Sequence, residues 1–123
     1  GMANVSASGH VVVVNFPSEA RVRQLVDELH ADPHYADREI VLVADNIEAN
    51  PIDARNVLFV RGHVLQDDTY DRARLADAEM AIVLATSYSD PNSDAVVSSA
   101  ASRSVSLPPS LWLLHCGRMR QVI

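Results

Sequence analysis

The chain has little cysteine, little aromatic content and no lysine, and each shortage excludes a class of protein. Cys116 is the one cysteine among 123 residues, so an internal disulfide is excluded and a reducing compartment is favoured. All 10 basic residues are arginines, and 16 acidic residues bring the net charge to −6, which argues against a nucleic-acid partner. Aromatic residues make up 5%, too few for a base-stacking surface.

Long apolar runs are also missing, since none reaches the roughly 18 residues of a membrane-spanning helix. The first residues are small and polar, so we expect no secretory signal. Gly1 before Met2 predicts the remnant of an expression tag. With 48% hydrophobic residues, the chain is expected to form one domain over residues 10–123, after a flexible lead-in over residues 1–9.

The most apolar stretch is a run of four valines at residues 11–14. Consecutive β-branched residues predict a central strand of a parallel sheet, covered on both faces. Pro17 ends this strand and Ser18 is suited to cap a helix, because apolar residues then recur with helical spacing. These residues are Val22, Leu25, Val26 and Leu29. A strand, a turn and a helix in this order are typical of the start of a nucleotide-binding α/β sheet.

The rest of the chain continues to alternate between strands and helices. Strands are predicted over residues 10–14, 39–44, 57–60, 80–85 and 111–115. Helices are predicted over residues 18–30, 66–75 and 91–105. This alternation predicts an α/β fold, a Rossmann-like doubly wound parallel sheet of five to six strands in three α/β/α layers, with strand order 3-2-1-4-5. The last helix–strand unit of a complete Rossmann sheet is expected to be lacking.

The turn after the first strand departs from the dinucleotide fingerprint G-x-G-x-x-G. Its three glycine positions hold Asn15, Pro17 and Ala20. Ala is accepted at the third position, and Asn tolerates a positive φ at the first. Proline at the second position removes an N–H and places a ring where the phosphates would lie. The sequence therefore predicts that this turn does not hold a dinucleotide pyrophosphate in the usual way.

Polar residues follow three other predicted strands, and each has two interpretations. Asp45 is placed either to hold ribose hydroxyls or to be a solvated loop residue. Arg61 is placed either to bind a phosphate or carboxylate or to pair with Asp67 or Asp68 on the surface. Thr86 lies in a polar loop that either contacts a ligand or caps the following helix.

No pattern of catalytic or metal-binding residues stands out. The five histidines lack the spacing of a zinc site, since Pro33 interrupts the helix between His30 and His34. The sequence has no G-x-S-x-G and no P-loop, and Cys116 fits a small apolar residue at a strand end. We therefore expect no metal site and no enzymatic activity.

Several segments taken together resemble a known family. They lie at residues 9–14, 37–45, 57–62, 78–85 and 90–95. The most specific are the Val-Arg-Gly that ends the third strand and the Asp-Pro-Asn-Ser-Asp-Ala that begins the last helix. In order and spacing these segments resemble the N-terminal lobe of an RCK domain (regulator of K⁺ conductance, also called TrkA-N), and the resemblance covers about residues 9–115.

This resemblance implies a cytoplasmic Rossmann-type module without catalysis, located at the inner face of the membrane as part of a channel complex. Such modules pair as dimers, assemble into gating rings and act on the pore of a potassium channel or transporter. Carried over by position, ligand contacts fall on Asn15, Phe16, Asp45, Arg61, Gly62 and Thr86, with Ser18 at the helix start as a further candidate. The chain departs from the pattern at His63, where an acidic residue often follows Arg-Gly.

The leading hypothesis is thus a regulatory domain of a potassium channel or K⁺ transport system. An NAD(P)-dependent oxidoreductase-like domain, or a Rossmann lobe kept only for dimerisation, are the alternatives. The cofactor stays open between NAD, an adenine nucleotide and none, because Asn15-Phe16-Pro17 replaces the glycine turn. An exposed sheet edge at the fifth strand predicts a homodimer or a higher ring, with membrane contact only through a pore partner.

Overall fold

The computed structural model describes residues 7–84 of the chain. Four strands, two helices and one 3-10 turn lie in this range: β1 (Val11–Val14), α1 (Glu19–Ala31), β2 (Ile40–Ala44), β3 (Val57–Arg61), α2 (Asp67–Arg72), the 3-10 turn (Leu75–Asp77) and β4 (Met80–Val83). The helix predicted over residues 91–105, the strand predicted over residues 111–115 and the candidate Thr86 lie outside the described residues.

The four strands form one parallel sheet in the order β3-β2-β1-β4. The register pairs Val14 of β1 with Val43 of β2 and with Val83 of β4. All four valines of β1 are fully buried, as expected of a central strand with both faces covered. The predicted Rossmann-like fold class is confirmed, and so is the 3-2-1-4 part of the strand order.

Helix α1 begins and ends within one residue of its predicted bounds. Ser18 is extended, and its Oγ accepts a hydrogen bond from the Arg21 N–H at 3.1 Å, which satisfies one of the free donors of the first turn. Its buried face consists of Val22, Leu25, Val26 and Leu29. Burying each of these side chains contributes about 1.5–3 kcal/mol, so the helix is held mainly by its apolar face.

The helix predicted over residues 66–75 is shorter than expected. It ends at Arg72, because Arg74 has a left-handed backbone with φ 55° that interrupts the helical hydrogen bonds. The chain then forms the 3-10 turn, in which the Asp77 N–H bonds the Arg74 carbonyl at 3.0 Å. This break turns the chain toward the start of β4.

Residues just before β1 also contact the domain. Ala7 is buried, and the N–H of Gly9 donates to the carbonyl of Asp77 at 2.8 Å. The guanidinium of Arg38 donates to the Gly9 carbonyl at 3.0 Å. Residues 7–9 are thus joined to the domain, while the extent of the domain along the whole chain stays a prediction. Within residues 7–84 no helix is long and apolar enough to cross a membrane.

Candidate functional site

The candidate residues that the structure describes follow the strands at one edge of the sheet. Because all four strands are parallel, their carboxyl ends meet at the same edge, where Rossmann-like folds bind ligands. The register aligns Val14 with Val43, and Ala44 with Arg61. Asn15, Asp45 and Gly62 therefore follow three neighbouring strands directly. We refer to this part of the molecule as the carboxyl edge.

Asn15 connects the end of β1 to both neighbouring strands. Its backbone has φ 83°, in the left-handed region that favours glycine and tolerates asparagine. Its N–H donates to the Val43 carbonyl at 2.8 Å, and its side-chain Nδ2 donates to the Leu84 carbonyl at 2.9 Å. The Asn15 amide is therefore engaged with the end of β4.

The turn between β1 and α1 is bonded internally. The carbonyl of Phe16 accepts a hydrogen bond from Asn46 Nδ2 at 3.0 Å, and Phe16 itself packs against the core. Ser18 uses its hydroxyl to cap α1, and Glu19 places a carboxylate in the first turn, 3.0 Å from Arg23 Nε. A negative side chain in the first turn of a helix repels a further anion there. This arrangement disfavours a phosphate at the start of α1.

Asp45 presents an exposed carboxylate after β2. No hydrogen-bond donor within residues 7–84 is bound to it. Its negative charge nevertheless reaches Tyr70: burial, and to a lesser extent the charge of Asp45, raise the pKa of the Tyr70 hydroxyl well above its usual range. That hydroxyl donates to the Val64 carbonyl. Asp45 can thus accept hydrogen bonds from a ligand without first breaking one within the described part of the chain.

Arg61 is the last residue of β3 and its side chain is exposed at the carboxyl edge. Of the two surface partners predicted for Arg61, Asp68 is paired elsewhere, since its Oδ2 lies 3.0 Å from Nε of Arg72, and pairing with Asp67 stays a prediction. The four-residue spacing on α2 brings Asp68 and Arg72 onto one side of the helix. The Arg61 guanidinium and the Asp45 carboxylate therefore provide opposite charges on neighbouring strands.

The sequence did not reveal the role of Arg72. Arg72 is 9% exposed, and its Nη2 donates to the Arg61 carbonyl at 2.9 Å. Thr69 Oγ1 donates to the His63 carbonyl at 2.8 Å. Both side chains enclose Gly62, where a Cβ would lie 2.5 Å from Arg72 Nη2 and from Thr69 Oγ1. The sequence held one indication of this arrangement, which was the four-residue spacing of Asp68 and Arg72 shortly after Arg61-Gly62.

Within residues 7–84 no group of three or more His, Cys, Asp or Glu side chains is arranged to hold a metal ion. The chemistry that the carboxyl edge offers is hydrogen bonding and charge: one carboxylate, one guanidinium and main-chain groups at strand ends.

The parallel sheet and the polar residues that follow its strands define a Rossmann-like α/β domain. The family model described as the calcium-activated potassium channel slowpoke-like RCK domain matches residues 6–107. Since this match spans most of the 123 residues, the chain belongs to the slowpoke-like RCK domain family. The resemblance to RCK and TrkA-N domains found in the sequence is confirmed, and the chain is a regulatory domain of the potassium channel and transport class.

Solved structures show the same fold. The crystal structure of the TrkA-N domain of the inner membrane protein ybaL from Escherichia coli is similar, with a TM-score of 0.61 and 19% sequence identity. The similarity covers 84% of this chain and 71% of that one. At this level of identity the comparison supports the fold alone. No curated protein matches the chain.

Proposed function

We propose that this chain is a non-catalytic cytoplasmic regulatory domain of a potassium channel or K⁺ transport system. In this proposal, ligand binding at the carboxyl edge, or a rearrangement between two copies of the domain, changes ion conductance through a pore-forming partner. The observation that carries the proposal is the RCK family match over residues 6–107. The polar carboxyl edge of the 3-2-1-4 sheet supports it.

The proposed ligand site uses the exposed charges at the ends of β2 and β3. Asp45 accepts from ligand hydroxyls, and Arg61 binds an anionic group through its planar guanidinium. Gly62 is proposed as a contact through its main chain alone, because Arg72 and Thr69 fill the space that a side chain would take. The turn residues Asn15, Phe16 and Ser18 border this site, and Thr86 remains a proposed contact.

A thermal-shift screen of the whole chain tests the ligand part of the proposal. The panel holds NAD, NADH, ATP, ADP, AMP, cyclic nucleotides, Ca²⁺, Mg²⁺ and K⁺. A true ligand at a hundredfold excess over Kd stabilises the fold by about 2.7 kcal/mol, which such a screen detects readily. We expect Asp45→Asn and Arg61→Gln to reduce the shift.

Matched controls lie in the loop before β3, at the opposite end of the strands. Asp53 and Arg55 are exposed, and Asp53→Asn and Arg55→Gln remove the same charges there. These two variants are expected to keep the shift of the wild type. A shift lost equally in all four variants would contradict a site at the carboxyl edge.

The partner is tested separately. The tagged chain is purified from cells in which it is native, and co-purifying proteins are identified by mass spectrometry. We expect a potassium channel or transporter subunit, and light scattering of the pure chain is expected to give a dimer or a higher ring. Absence of any ion-transport protein in repeated purifications would refute the regulatory role, and a monomer at high concentration would refute the assembly.

Two alternatives remain open. A Rossmann lobe kept only for dimerisation is favoured by the bonded Asn15 amide and the capped start of α1, and it predicts no thermal shift with any compound of the panel. An NAD(P)-dependent oxidoreductase-like domain is favoured by the acid at Asp45 after β2. Steady turnover of NADH with a panel of carbonyl compounds would support the oxidoreductase, and we expect none.

A further inference from the structure

The side chain of Asn15 extends the sheet by one bond beyond its last strand pair. The ladder between β1 and β4 ends with Val14 paired to Val83, and the Leu84 N–H then donates to the Val14 carbonyl at 2.9 Å. Asn15 Nδ2 donates to the carbonyl of the same Leu84 at 2.9 Å. Both main-chain groups of Leu84 are thus held by two consecutive residues at the end of β1.

The backbone of Asn15 makes this choice of residue informative. With φ 83°, glycine would be the relaxed residue at this position, but glycine has no amide to donate. Asparagine accepts the left-handed conformation at a modest cost and supplies the donor. The bond to Leu84 offsets that cost, so it explains the presence of asparagine in a turn where the dinucleotide fingerprint has glycine.

We propose that the Asn15 side chain is a latch that holds the end of β4 against β1 and is released by a ligand at the carboxyl edge. This proposal rests on the proposed function in one respect, which is that a ligand binds there. A ligand that draws the Asn15 amide into another rotamer breaks its bond to Leu84. Of the two bonds that hold the main chain of Leu84 to Val14 and Asn15, the bond from the Leu84 N–H to the Val14 carbonyl then remains.

A neighbouring asparagine provides a matched control. Asn46 Nδ2 also donates to a main-chain carbonyl, that of Phe16, at 3.0 Å. This bond joins the loop after β2 to the turn after β1 and does not involve β4. A change at Asn46 therefore removes an equivalent hydrogen bond of the same turn without touching the latch.

The latch is tested first without ligand, by hydrogen exchange of backbone amides in the whole chain. Asn15→Gly keeps the left-handed backbone and removes the amide, and Asn15→Asp keeps the shape but cannot donate. In both variants we expect the Leu84 amide to exchange about 2- to 12-fold faster, as the loss of one hydrogen bond predicts. The Gly62 amide, which donates to Ala44 between β2 and β3, serves as the internal reference.

The control variant Asn46→Gly is expected to leave exchange at Leu84 unchanged. Unchanged Leu84 exchange in both Asn15 variants would overturn the latch, and so would an equal increase at Leu84 and at Gly62, which would indicate general loosening of the sheet. Because the two Asn15 variants affect the backbone differently, agreement between them identifies the amide donor as the cause.

The second part of the test adds ADP or NADH to the wild type. If either binds, we expect faster exchange at Leu84 in the wild type and no further increase in Asn15→Asp. Binding without a change at Leu84 would overturn the release step alone. Absence of binding by the nucleotides and ions of the thermal-shift panel would refute both the release step and the proposed ligand site. The exchange measured without ligand decides separately whether the Asn15 side chain holds Leu84.

Discussion

Arg72 covers the outer side of the last residue of β3. Its Nη2 donates to the Arg61 carbonyl at 2.9 Å, on the side that faces away from β2. The Ile40 N–H of β2 donates to the Asn56 carbonyl, and the Gly62 N–H donates to the Ala44 carbonyl of β2. The main-chain groups of the even-numbered residues along β3 therefore face β2, and those of residues 57, 59 and 61 face outward. Since β3 is an outermost strand of the described sheet, we call its outward side the β3 edge. An arginine from α2 therefore covers the carboxyl end of the β3 edge.

Asn50 closes the other end of the same edge. Its Nδ2 donates to the Val57 carbonyl at 3.0 Å, and the Val57 N–H bonds the Ala54 carbonyl. Unpaired edges invite pairing with another chain, and native proteins often protect them. Since the chain's own residues bond both main-chain groups of Val57 and the carbonyl of Arg61 on this side, we expect the proposed dimer to form through another surface.

Replacing Arg72 is expected to destabilise the domain. Arg72→Met keeps the apolar stem and removes both the charged hydrogen bond to the Arg61 carbonyl and the pair with the exposed Asp68. Because an exposed pair contributes little, the expected loss in the free energy of unfolding is about 1.5 kcal/mol. We choose the lower end of the usual range because Nη1 of Arg72 is buried without a hydrogen-bond partner in the described part of the chain. Urea unfolding measures the loss. Arg23→Met, which breaks an exposed pair with Glu19, is expected to cost less than about 0.5 kcal/mol; equal losses would contradict the role of Arg72.

A methyl group at Gly62 is expected to clash with its neighbours. The new Cβ would lie 2.5 Å from both Arg72 Nη2 and Thr69 Oγ1, and 2.8 Å from Thr69 Cγ2. We expect Gly62→Ala to reduce the free energy of unfolding by about 1–3 kcal/mol, the usual cost of overpacking. In the double variant with Thr69→Ala, part of this cost is relieved, so the two changes should couple by at least about 0.5 kcal/mol. Strict additivity in denaturant unfolding would show that Thr69 is not the obstacle.

Opening the β3 edge is expected to promote self-association. Asn50→Ala exposes the Val57 carbonyl and also removes the acceptor of the Ile52 N–H. It should lower the free energy of unfolding by about 2 kcal/mol, the net value of two hydrogen bonds. Light scattering at high concentration is expected to show a greater mean mass than the wild type. Asn46→Ala removes a similar exposed amide away from this edge and serves as the control. If Asn50→Ala and the wild type associate equally, the edge is not protected by Asn50.

Stability is expected to fall in mild acid because of His10. The side chain is buried, its Nε2 lies 2.8 Å from the Ala73 carbonyl, and its Nδ1 has no partner within the described range. Burial lowers the pKa of His10 below 6.5, and the charge of Arg74 lowers it further. The hydrogen bond to Ala73 and the charges of Glu39 and Asp77 raise it by less. Between the folded pKa and 6.5 the unfolded chain binds more protons, so stability is complete above 6.5 and is lost as the pH falls through the folded pKa.

The expected slope is at most about 1.4 kcal/mol per pH unit in that window. Urea unfolding between about pH 5 and pH 7.5 measures it. His10→Gln should remove this contribution, whereas His63→Gln, at an exposed histidine after β3, should retain it. An identical pH dependence in the wild type and His10→Gln would contradict the assignment.

Some parts of the fold were predictable because they depend on local pattern. The four valines of β1, the cap at Ser18 and the apolar face of α1 each depend on residues close in sequence, and the structure has all three. The end of α2 was predicted poorly, because the left-handed backbone of Arg74 has no signature in its residue type. An arginine with this conformation is unusual, and only its surroundings select it.

The sequence by itself determined the 3-2-1-4 part of the strand order, the central position of β1 and the polar residues that follow the strands. Apolar runs, helical spacing and right-handed crossovers leave few other arrangements. Only the tertiary structure decided which polar groups remain available. It joined Asn15 to Leu84 and Arg72 to Arg61 across 69 and 11 residues of sequence, and left the Asp45 carboxylate exposed. Hydrogen bonds between residues far apart in sequence depend on distance and direction in the folded chain, and residue order alone does not specify either.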